Sequence, residues 1–218
     1  AHENRVIGNY IGTEVAGTSA LAKNTGITIQ DAACSNTVGG DTTGERNLIS
    51  GNGGKGLQIV GYGTISNTIT GNYIGTDVSG SYAISNTDNG VFLAHGAQYN
   101  VIGGSSSGEG NLISGNGENG VGISHLGTMS NTVLGNYIGT DVSGTAAIPN
   151  EKAGVEIDNF ASYNVIGASE HGDRNLISGN GENGVALYGS GTCSNTVCGN
   201  YIGTDESGTA DLGNGLSG

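Results

Sequence analysis

One heptapeptide recurs along this chain of 218 residues at an almost constant spacing. GNYIGTD stands at 71–77, 135–141 and 199–205, and a near copy, GNYIGTE, stands at 8–14. The copies therefore return every 63 or 64 residues. Internal repeats of this kind are typical of solenoids, in which each unit packs only against its neighbours, and they argue against an ordinary mixed domain.

A shorter phrase recurs within each of these units. It begins with Asn, has Val or Ile two positions later and usually closes on Gly or Gly-Asn, as in NRVIGN from Asn4 and NLISGN from Asn47. A β-branched residue between an Asn and a small residue suits a short strand that points one side chain inward, and the glycines supply turns. The ten copies predict one buried ladder, formed by Val6, Val38, Ile49, Ile69, Ile102, Ile113, Val133, Ile166, Ile177 and Val197.

A second strand type fills the longer gaps between these phrases. Its copies GITI, GLQI, GVFL, GVGI, GVEI and GVAL begin at Gly26, Gly56, Gly90, Gly120, Gly154 and Gly184. Short strands, glycine turns and the lack of helical periodicity predict an all-β parallel β-helix, a solenoid that residues 1–218 form as a single domain. We expect three coils in each 64-residue unit and about ten in all, which at ~4.8 Å per strand spacing gives a rod about 50 Å long.

The repeats also predict where the Asn and Tyr side chains lie. Asn residues on adjacent coils can form amide ladders along the axis, so we interpret them as scaffold. One coil in three carries the heptapeptide, which places its tyrosines roughly 14 Å apart, too far for one continuous stack. These tyrosines are Tyr10, Tyr73, Tyr137 and Tyr201.

Composition and charge limit the possible partners. The chain has 44 Gly and one Pro, and 19 acidic against six basic residues give a formal charge of −13. Such a charge repels phosphate backbones, which argues against a nucleic-acid partner. No apolar run approaches the ~20 residues of a membrane helix, so no membrane span is predicted. The chain begins at Ala1, so we expect a processed form or an excised piece, and an extracellular or cell-surface location.

Three cysteines are too few for a disulfide framework, and they lack the spacing of a metal site. Cys193 and Cys198 flank the strand SNTV, so a local bridge between them is conceivable. Free thiols, with Cys34 as the third, are the more common outcome.

The repeated phrases resemble those of a known group. The tandem NxIxGNYIGTD and NLISGNxxxGVxI patterns cover essentially the whole chain. They are similar to the repeats of right-handed parallel β-helix proteins of the pectate-lyase-like superfold, in particular bacterial secreted proteins. The resemblance implies a right-handed β-helix. It implies no single activity, because that superfold includes lyases, hydrolases, epimerases, adhesins and tail fibres.

The resemblance also implies which residues a catalytic member would use. Its lyases use calcium-binding acids with an Arg or Lys base, and its polygalacturonases use clustered Asp with a His and a downstream Arg-Ile-Lys. NTDNG at 86–90, with Asp88, and His95 with Gly96 look like parts of the second set, but the chain has no Asp-Asp pair and no Arg-Ile-Lys. Asp88 precedes the GVFL strand, where Asp favours turns, so we predict a turn residue there.

The densest group of ionisable residues lies in the segment EHGDRN. Glu170, His171, Asp173 and Arg174 could supply an acid, a base and an anion clamp. An acid beside an Arg in a turn is most often a solvated ion pair, so we expect such pairs here and at Glu45–Arg46 in the first unit.

The loop after each heptapeptide offers a single acid, in DVSG at Asp77 and Asp141, in DESG at Asp205 and in EVAG at Glu14. An Asp followed by Ser-Gly can ligate calcium, which takes six to eight oxygens. A turn closed by Gly is the favoured interpretation. We predict no cofactor, with calcium at these loops as the alternative.

The remaining polar and aromatic residues predict no further site. The histidines share no repeat position and no zinc-like spacing, so we expect turn residues in solvent at His2, His95, His125 and His171. Outward positions of the second strand type share no polarity; they are Thr28, Gln58, Phe92, Gly122, Glu156 and Ala186. An aromatic sugar-binding platform would need outward rings on adjacent coils, but Tyr62, Tyr99, Tyr163 and Tyr188 are scattered.

Both ends of the chain fall at the boundary of the same coil type, and neither carries residues that could form a cap. A solenoid without caps exposes unpaired strand groups at each end. We therefore expect an excised part of a longer solenoid, or copies that stack end to end. The sequence predicts a structural extracellular β-solenoid, a rod, stalk or filament subunit with no catalytic residue. A carbohydrate-active β-helix enzyme, or a glycan-binding module with a polysaccharide ligand, is the alternative.

Overall fold

The computed structural model describes residues 1–21, 24–168 and 173–218. In these ranges the chain forms twenty short β-strands and no α-helix. The strands make three sheets in which neighbours pair in parallel. The predicted all-β parallel solenoid is confirmed.

Each turn of the solenoid contributes one strand to each sheet. The first sheet contains β1 (Arg5–Val6), β4 (Thr37–Gly39), β7 (Thr68–Thr70), β10 (Val101–Gly103), β13 (Thr132–Leu134), β16 (Val165–Ile166) and β19 (Thr196–Val197). The second contains β2 (Tyr10–Ile11), β5 (Leu48–Ile49), β8 (Tyr73–Ile74), β11 (Leu112–Ile113), β14 (Tyr137–Ile138), β17 (Leu176–Ile177) and β20 (Tyr201–Ile202). The third contains β3 (Ile27–Ile29), β6 (Leu57–Val60), β9 (Val91–Ala94), β12 (Val121–Ser124), β15 (Val155–Ile157) and β18 (Val185–Leu187).

The predicted count of about ten coils is wrong. Two sheets of seven strands and one of six correspond to about six turns. Asn36 and Asn67 are equivalent on adjacent turns and lie 31 residues apart, and the next step to Asn100 is 33 residues. A 64-residue unit therefore spans two turns of three strands, and at ~4.8 Å per turn the solenoid is about 30 Å long.

The error has a physical cause. The phrase of Asn, a β-branched residue and Gly describes a corner followed by a short inward-pointing strand, and each turn has two such corners. The phrase at Asn36 forms β4 in the first sheet, whereas the phrase at Asn47 forms β5 in the second. Similar segments thus follow one another within a turn, and the single predicted ladder is in fact two.

Aliphatic ladders fill the interior. The predicted inward positions Val133, Ile166 and Ile177 are fully buried, which confirms their orientation. In the third sheet Leu57 and Ile59 point inward on either side of the outward Gln58, and this alternation continues from turn to turn. The interior is a narrow column of Val, Ile and Leu from all three sheets.

Asparagine side chains form ladders along the axis, as the sequence predicted, and the structure shows that there are three, one at each corner. Each side-chain amide donates to the Oδ1 of the Asn one turn further along and to a backbone carbonyl. Asn131, for example, donates to Asn164 Oδ1 at 3.0 Å and to Ala97 O at 3.0 Å. The first ladder contains Asn4, Asn36, Asn67, Asn100, Asn131, Asn164 and Asn195. The second contains Asn9, Asn47, Asn72, Asn111, Asn136, Asn175 and Asn200, and the third Asn52, Asn86, Asn116, Asn150, Asn180 and Asn214.

Candidate functional site

A single row of large side chains runs along the outer face of the second sheet. Because each 64-residue unit spans two turns, one GNYIG strand and one NLISG strand alternate in this sheet, and so do their first residues. The row, which we name the tyrosine groove, is Tyr10, Leu48, Tyr73, Leu112, Tyr137, Leu176 and Tyr201. Its tyrosines are two turns apart, about 10 Å, which corrects the predicted spacing of roughly 14 Å.

Loops that follow the tyrosine strands form one wall of the groove. Each loop is closed by an antiparallel bridge, as between Thr76 and Ala83. The loops also contact each other across two turns: Val78 N donates to Gly17 O at 3.1 Å, and Val142 N donates to Gly80 O at 3.0 Å. The wall is therefore continuous along the axis, although only alternate turns contribute to it.

The acid at the start of each wall loop holds the loop together. Asp77 Oδ1 accepts from the amides of Ser81 at 2.9 Å and Tyr82 at 3.1 Å, and Oδ2 accepts from the Ser79 hydroxyl at 2.7 Å. Burial acts to raise the pKa of Asp77, but these hydrogen bonds outweigh it and lower the pKa below its usual value. The predicted turn role is confirmed here and in the matching bonds of Asp141. Calcium binding at these loops stays an untested alternative.

Loops that precede the leucine strands form the opposite wall, and two of them place an arginine over a tyrosine ring. The Arg46 guanidinium carbon lies 4.1 Å from the ring centroid of Tyr73, and that of Arg174 lies 4.0 Å from the centroid of Tyr201. Tyr73 is only 9% exposed, whereas Tyr10 is 46% exposed. A guanidinium over a tyrosine face is a favourable cation–π contact.

The predicted ion pair between Glu45 and its neighbour Arg46 is wrong. The Glu45 carboxylate pairs instead with Arg5, at 2.6 Å, and the Arg5 guanidinium is the main cause of the lowered pKa of Glu45. Successive residues in a turn point in different directions, so the acid faces the first sheet while the arginine faces the groove. In the third unit Arg174 likewise faces the groove, whereas Glu170 and His171 lie outside the described residues.

A cavity of about 480 Å³ opens in the groove at the middle unit. Its lining includes Tyr137, Gly110, Val142 and the serine-rich segment 104–108. Burial, followed by the charge of the nearby Glu206 carboxylate, raises the pKa of Tyr137. The sequence did not predict this opening. The sequence signal for this site is the alternation of YIG and LIS phrases. It predicts a row of Tyr and Leu side chains only when the length of one turn is already known.

A second polar cluster lies on the outer face of the third sheet. Glu156 lies in β15, Asp158 directly follows that strand, and Tyr188 lies opposite Asp158 on the next turn. The Tyr188 hydroxyl and the Asn119 side chain lie near the Glu156 carboxyl group. Burial is the main reason that the pKa of Glu156 is raised. Burial and the Glu156 carboxyl also raise the pKa of Tyr188 to about 12.

Asp88 and the described histidines, which are the other candidate site residues from the sequence, do not form a cluster of acidic residues like that at Glu156. Asp88, once compared with a polygalacturonase acid, pairs with Lys55 at 2.5 Å and accepts from the Asn89 amide at 2.7 Å, which confirms its turn role. The prediction that the histidines share no repeat position is wrong for His95 and His125. They follow β9 and β12 at equivalent corners, and their rings lie 3.9 Å apart.

Within the described ranges, no three His, Cys, Asp or Glu side chains come together as a metal site. The three cysteines are free thiols, including Cys193 and Cys198. No helix in the part of the chain that the structure describes is long and apolar enough to cross a membrane.

Fold and groove together define a parallel β-solenoid repeat protein with asparagine-ladder corners. No protein family, no curated protein and no solved structure matches the chain.

Proposed function

We propose that the protein is a structural, extracellular β-solenoid, a rod, stalk or filament subunit that continues end to end into a like turn. The observation that carries this proposal is the uniform direction of the asparagine ladders. In each ladder the side-chain amide of one Asn donates to Oδ1 of the Asn on the next turn, as from Asn4 to Asn36 and from Asn164 to Asn195. The two ends of a ladder are therefore chemically different.

The first turn of a ladder presents Asn side-chain oxygens that can accept a hydrogen bond from a neighbour. The last turn presents Asn side-chain amides that can donate one. In the described residues no group donates to Oδ1 of Asn4 or Asn9, while Asn195 and Asn200 have no further Oδ1 to which they can donate. Backbone groups add to this complementarity. Thr196 N and Cys198 N donate back to the preceding turn, so the N–H of Val197 between them points to the open side.

Complementary ends favour a head-to-tail contact, which does not close on itself and generates a rod. Each satisfied amide contributes on the order of 0.5 to 1.5 kcal/mol, and continuation of the aliphatic column adds buried apolar area. The neighbour is either a copy of this chain or further turns of a longer one. The charge of −13 is compatible with an extracellular location.

The test is the association of residues 1–218 as a function of concentration, by sedimentation velocity and negative-stain electron microscopy. We expect rods whose length increases with concentration. Val197→Pro removes the open N–H and should shorten the rods, whereas the matched control Val197→Ile keeps this N–H and should assemble like the parent. A parent chain that stays monomeric at every concentration contradicts assembly from its own copies.

The second candidate is a carbohydrate-active enzyme, as the resemblance to pectate-lyase-like proteins implies. The specific observation is the pair Glu156 and Asp158, of which Glu156 lies near Tyr188 and has a pKa that burial raises. A carboxyl group with a raised pKa near a second acidic side chain is an arrangement that acid catalysis on a polysaccharide can use.

This candidate is tested by incubating the protein with neutral and acidic polysaccharides and measuring new reducing ends and unsaturated products. Glu156→Gln should abolish any turnover, while Thr28→Gln, at another outward position of the third sheet, should leave it unchanged. Turnover that survives Glu156→Gln assigns the activity to a different site.

A further inference from the structure

The tyrosine groove repeats one contact in two of its three equivalent places. Arg46 lies one residue before the ladder Asn of its turn and covers Tyr73 on the next turn. Arg174 holds the same position two units later and covers Tyr201. Arg174 Nε also donates to Gly199 O at 2.9 Å. The fold thus builds a place for a guanidinium group over a tyrosine face; the bond to a glycine carbonyl is made by Arg174 alone, because Arg46 Nε has no hydrogen-bond partner among the described residues.

The middle unit has the same place without the arginine. The residue equivalent to Arg46 and Arg174 is Gly110, and the ring that it leaves uncovered is that of Tyr137. The cavity of about 480 Å³ occupies this position, and Gly135, the counterpart of Gly199, lines it. The cavity therefore lies at the position that an arginine guanidinium occupies in the other two units.

The chain cannot readily fill this cavity from position 110 itself. A Cβ atom on Gly110 would collide with the backbone oxygen of Gly135, so only glycine fits without movement of the backbone. The neighbouring wall residues 105–108 are three serines and a glycine, whose side chains are short. Among the described residues, neither position 110 nor the segment 104–108 therefore supplies a group that covers Tyr137.

The cavity carries charges of both signs: Arg46, with its guanidinium over Tyr73, lines one side of it, and two acidic side chains lie near the Tyr137 ring. The wall position that is Val15, Val78 and Val142 in the earlier copies of the loop is Glu206 in the last, and its side chain lies near Tyr137, where both line one opening. Asp141 adds negative charge at the same ring. Nearby anions and an uncovered aromatic face both attract a cationic group.

We propose that the cavity over Tyr137 binds an arginine side chain of a partner polypeptide, whose guanidinium takes the place that Arg46 and Arg174 occupy in the other units. The partner is a polypeptide because the cavity is larger than one guanidinium and continues along the groove. A further opening of about 470 Å³, lined by Tyr137, Arg174 and Glu206, adjoins it. An extended chain can lie in this groove with one arginine over the ring.

The experiment uses the chain 1–218 with ¹³C-labelled tyrosine rings and follows the Tyr137 ring signals by NMR. The probes are the blocked tripeptide acetyl-Gly-Arg-Gly-amide, its lysine counterpart and free arginine. We expect the arginine peptide to bind at one site per chain and to shift the Tyr137 signals. The lysine peptide should bind about tenfold more weakly, because a planar guanidinium stacks on the ring and an ammonium does not.

Two variants of Tyr137 separate stacking from simple charge attraction. Tyr137→Phe keeps the ring and should bind the arginine peptide nearly as well as the parent, followed through peptide signals. Tyr137→Leu places in the row the residue that already alternates there, so it should fold, and it should bind about tenfold more weakly. Equal binding by the parent and Tyr137→Leu, or by the arginine and lysine peptides, overturns the proposal.

Arg174→Ala supplies a positive control within the same molecule, because neither Arg174 nor Tyr201 lines the cavity over Tyr137. It uncovers Tyr201 and should create a second site, so that the stoichiometry increases from one to two peptides per chain. A stoichiometry that stays at one shows that a free tyrosine face in this groove does not suffice, and it overturns the argument from equivalence. Free arginine that binds as tightly as the peptide overturns the polypeptide source in favour of a small guanidinium ligand.

Discussion

Asn136 donates its side-chain amide to Oδ1 of Asn175 at 3.0 Å, and both side chains are completely buried. The same amide donates to the carbonyls of Ile102 and Leu134, each at 2.9 Å. Its own Oδ1 accepts from the amide of Asn111 at 2.9 Å. A buried polar side chain is stable in an aliphatic interior only when it is satisfied to this extent.

Asn136→Asp is therefore expected to destabilise the solenoid strongly. The substitution keeps the shape but replaces a donor with an oxygen that faces three acceptors, in a site closed to water. We expect a loss of about 3 to 5 kcal/mol in the free energy of unfolding, measured by urea denaturation. Asn9→Asp is the matched control, because Asn9 belongs to the same ladder but is exposed on the first turn, and it should cost about 1 kcal/mol or less. Equal losses contradict the role of burial.

Ile177→Asp is expected to cost several kcal/mol, because it places an unpaired carboxylate in the aliphatic column. Thermal unfolding by circular dichroism measures the effect. Thr28→Asp, at an exposed outward position of the third sheet, should leave Tm within a few degrees of the parent. If Ile177→Asp melts like the parent, the inward orientation is wrong.

The wall loop at Asp77 is expected to open in acid. The pKa of the Asp77 carboxyl group in the folded state is lowered below the ordinary 3.8. The carboxylate therefore contributes stability above that value, and this contribution is lost as pH falls through the folded-state pKa. The amides of Ser81 and Tyr82 lose their acceptor, and their hydrogen exchange should accelerate. Asp77→Asn should show fast exchange at neutral pH as well. Amides that stay protected in that variant would show that the carboxylate does not hold the loop.

Removal of calcium is expected to leave stability unchanged. The oxygens of Asp77 and Asp141 already accept hydrogen bonds from their own loops, so a metal would compete with these bonds. A thermal melt with and without a chelator is the measurement. A decrease of Tm by more than a few degrees in the chelator supports the calcium alternative.

Tyr188 is expected to lose its proton unusually late. Its pKa is raised from the ordinary 10.0 to about 12, so the folded state binds this proton more tightly than the unfolded state does. Stability from this group is complete below pH 10 and decreases as pH rises toward 12. Ultraviolet difference titration should show a late tyrosinate that is absent in Tyr188→Phe. Glu156→Gln should move the Tyr188 titration to lower pH. An unchanged titration in that variant contradicts the contact between Glu156 and Tyr188.

The sequence by itself determined the local structure of this protein. Asn, a β-branched residue and Gly in fixed order require a corner and a short inward strand, because only that arrangement satisfies the amide, buries the aliphatic side chain and permits the turn. The burial of Val133 and Ile177, the asparagine ladders and the turn role of Asp77 followed from this pattern without a structure.

Only the tertiary structure decided which similar segments lie on top of each other. The phrases at Asn36 and Asn47 have the same local requirements, so nothing in them separates two corners of one turn from two stacked turns. The length of one turn is set by the pairing of residues that lie 31 to 33 positions apart in the chain. It also creates the row of Tyr and Leu, turns Arg46 away from Glu45 toward Tyr73, and leaves Tyr137 open. All of these contacts join residues on different turns. They depend on the register between turns, and for this reason they could not be predicted from the local sequence.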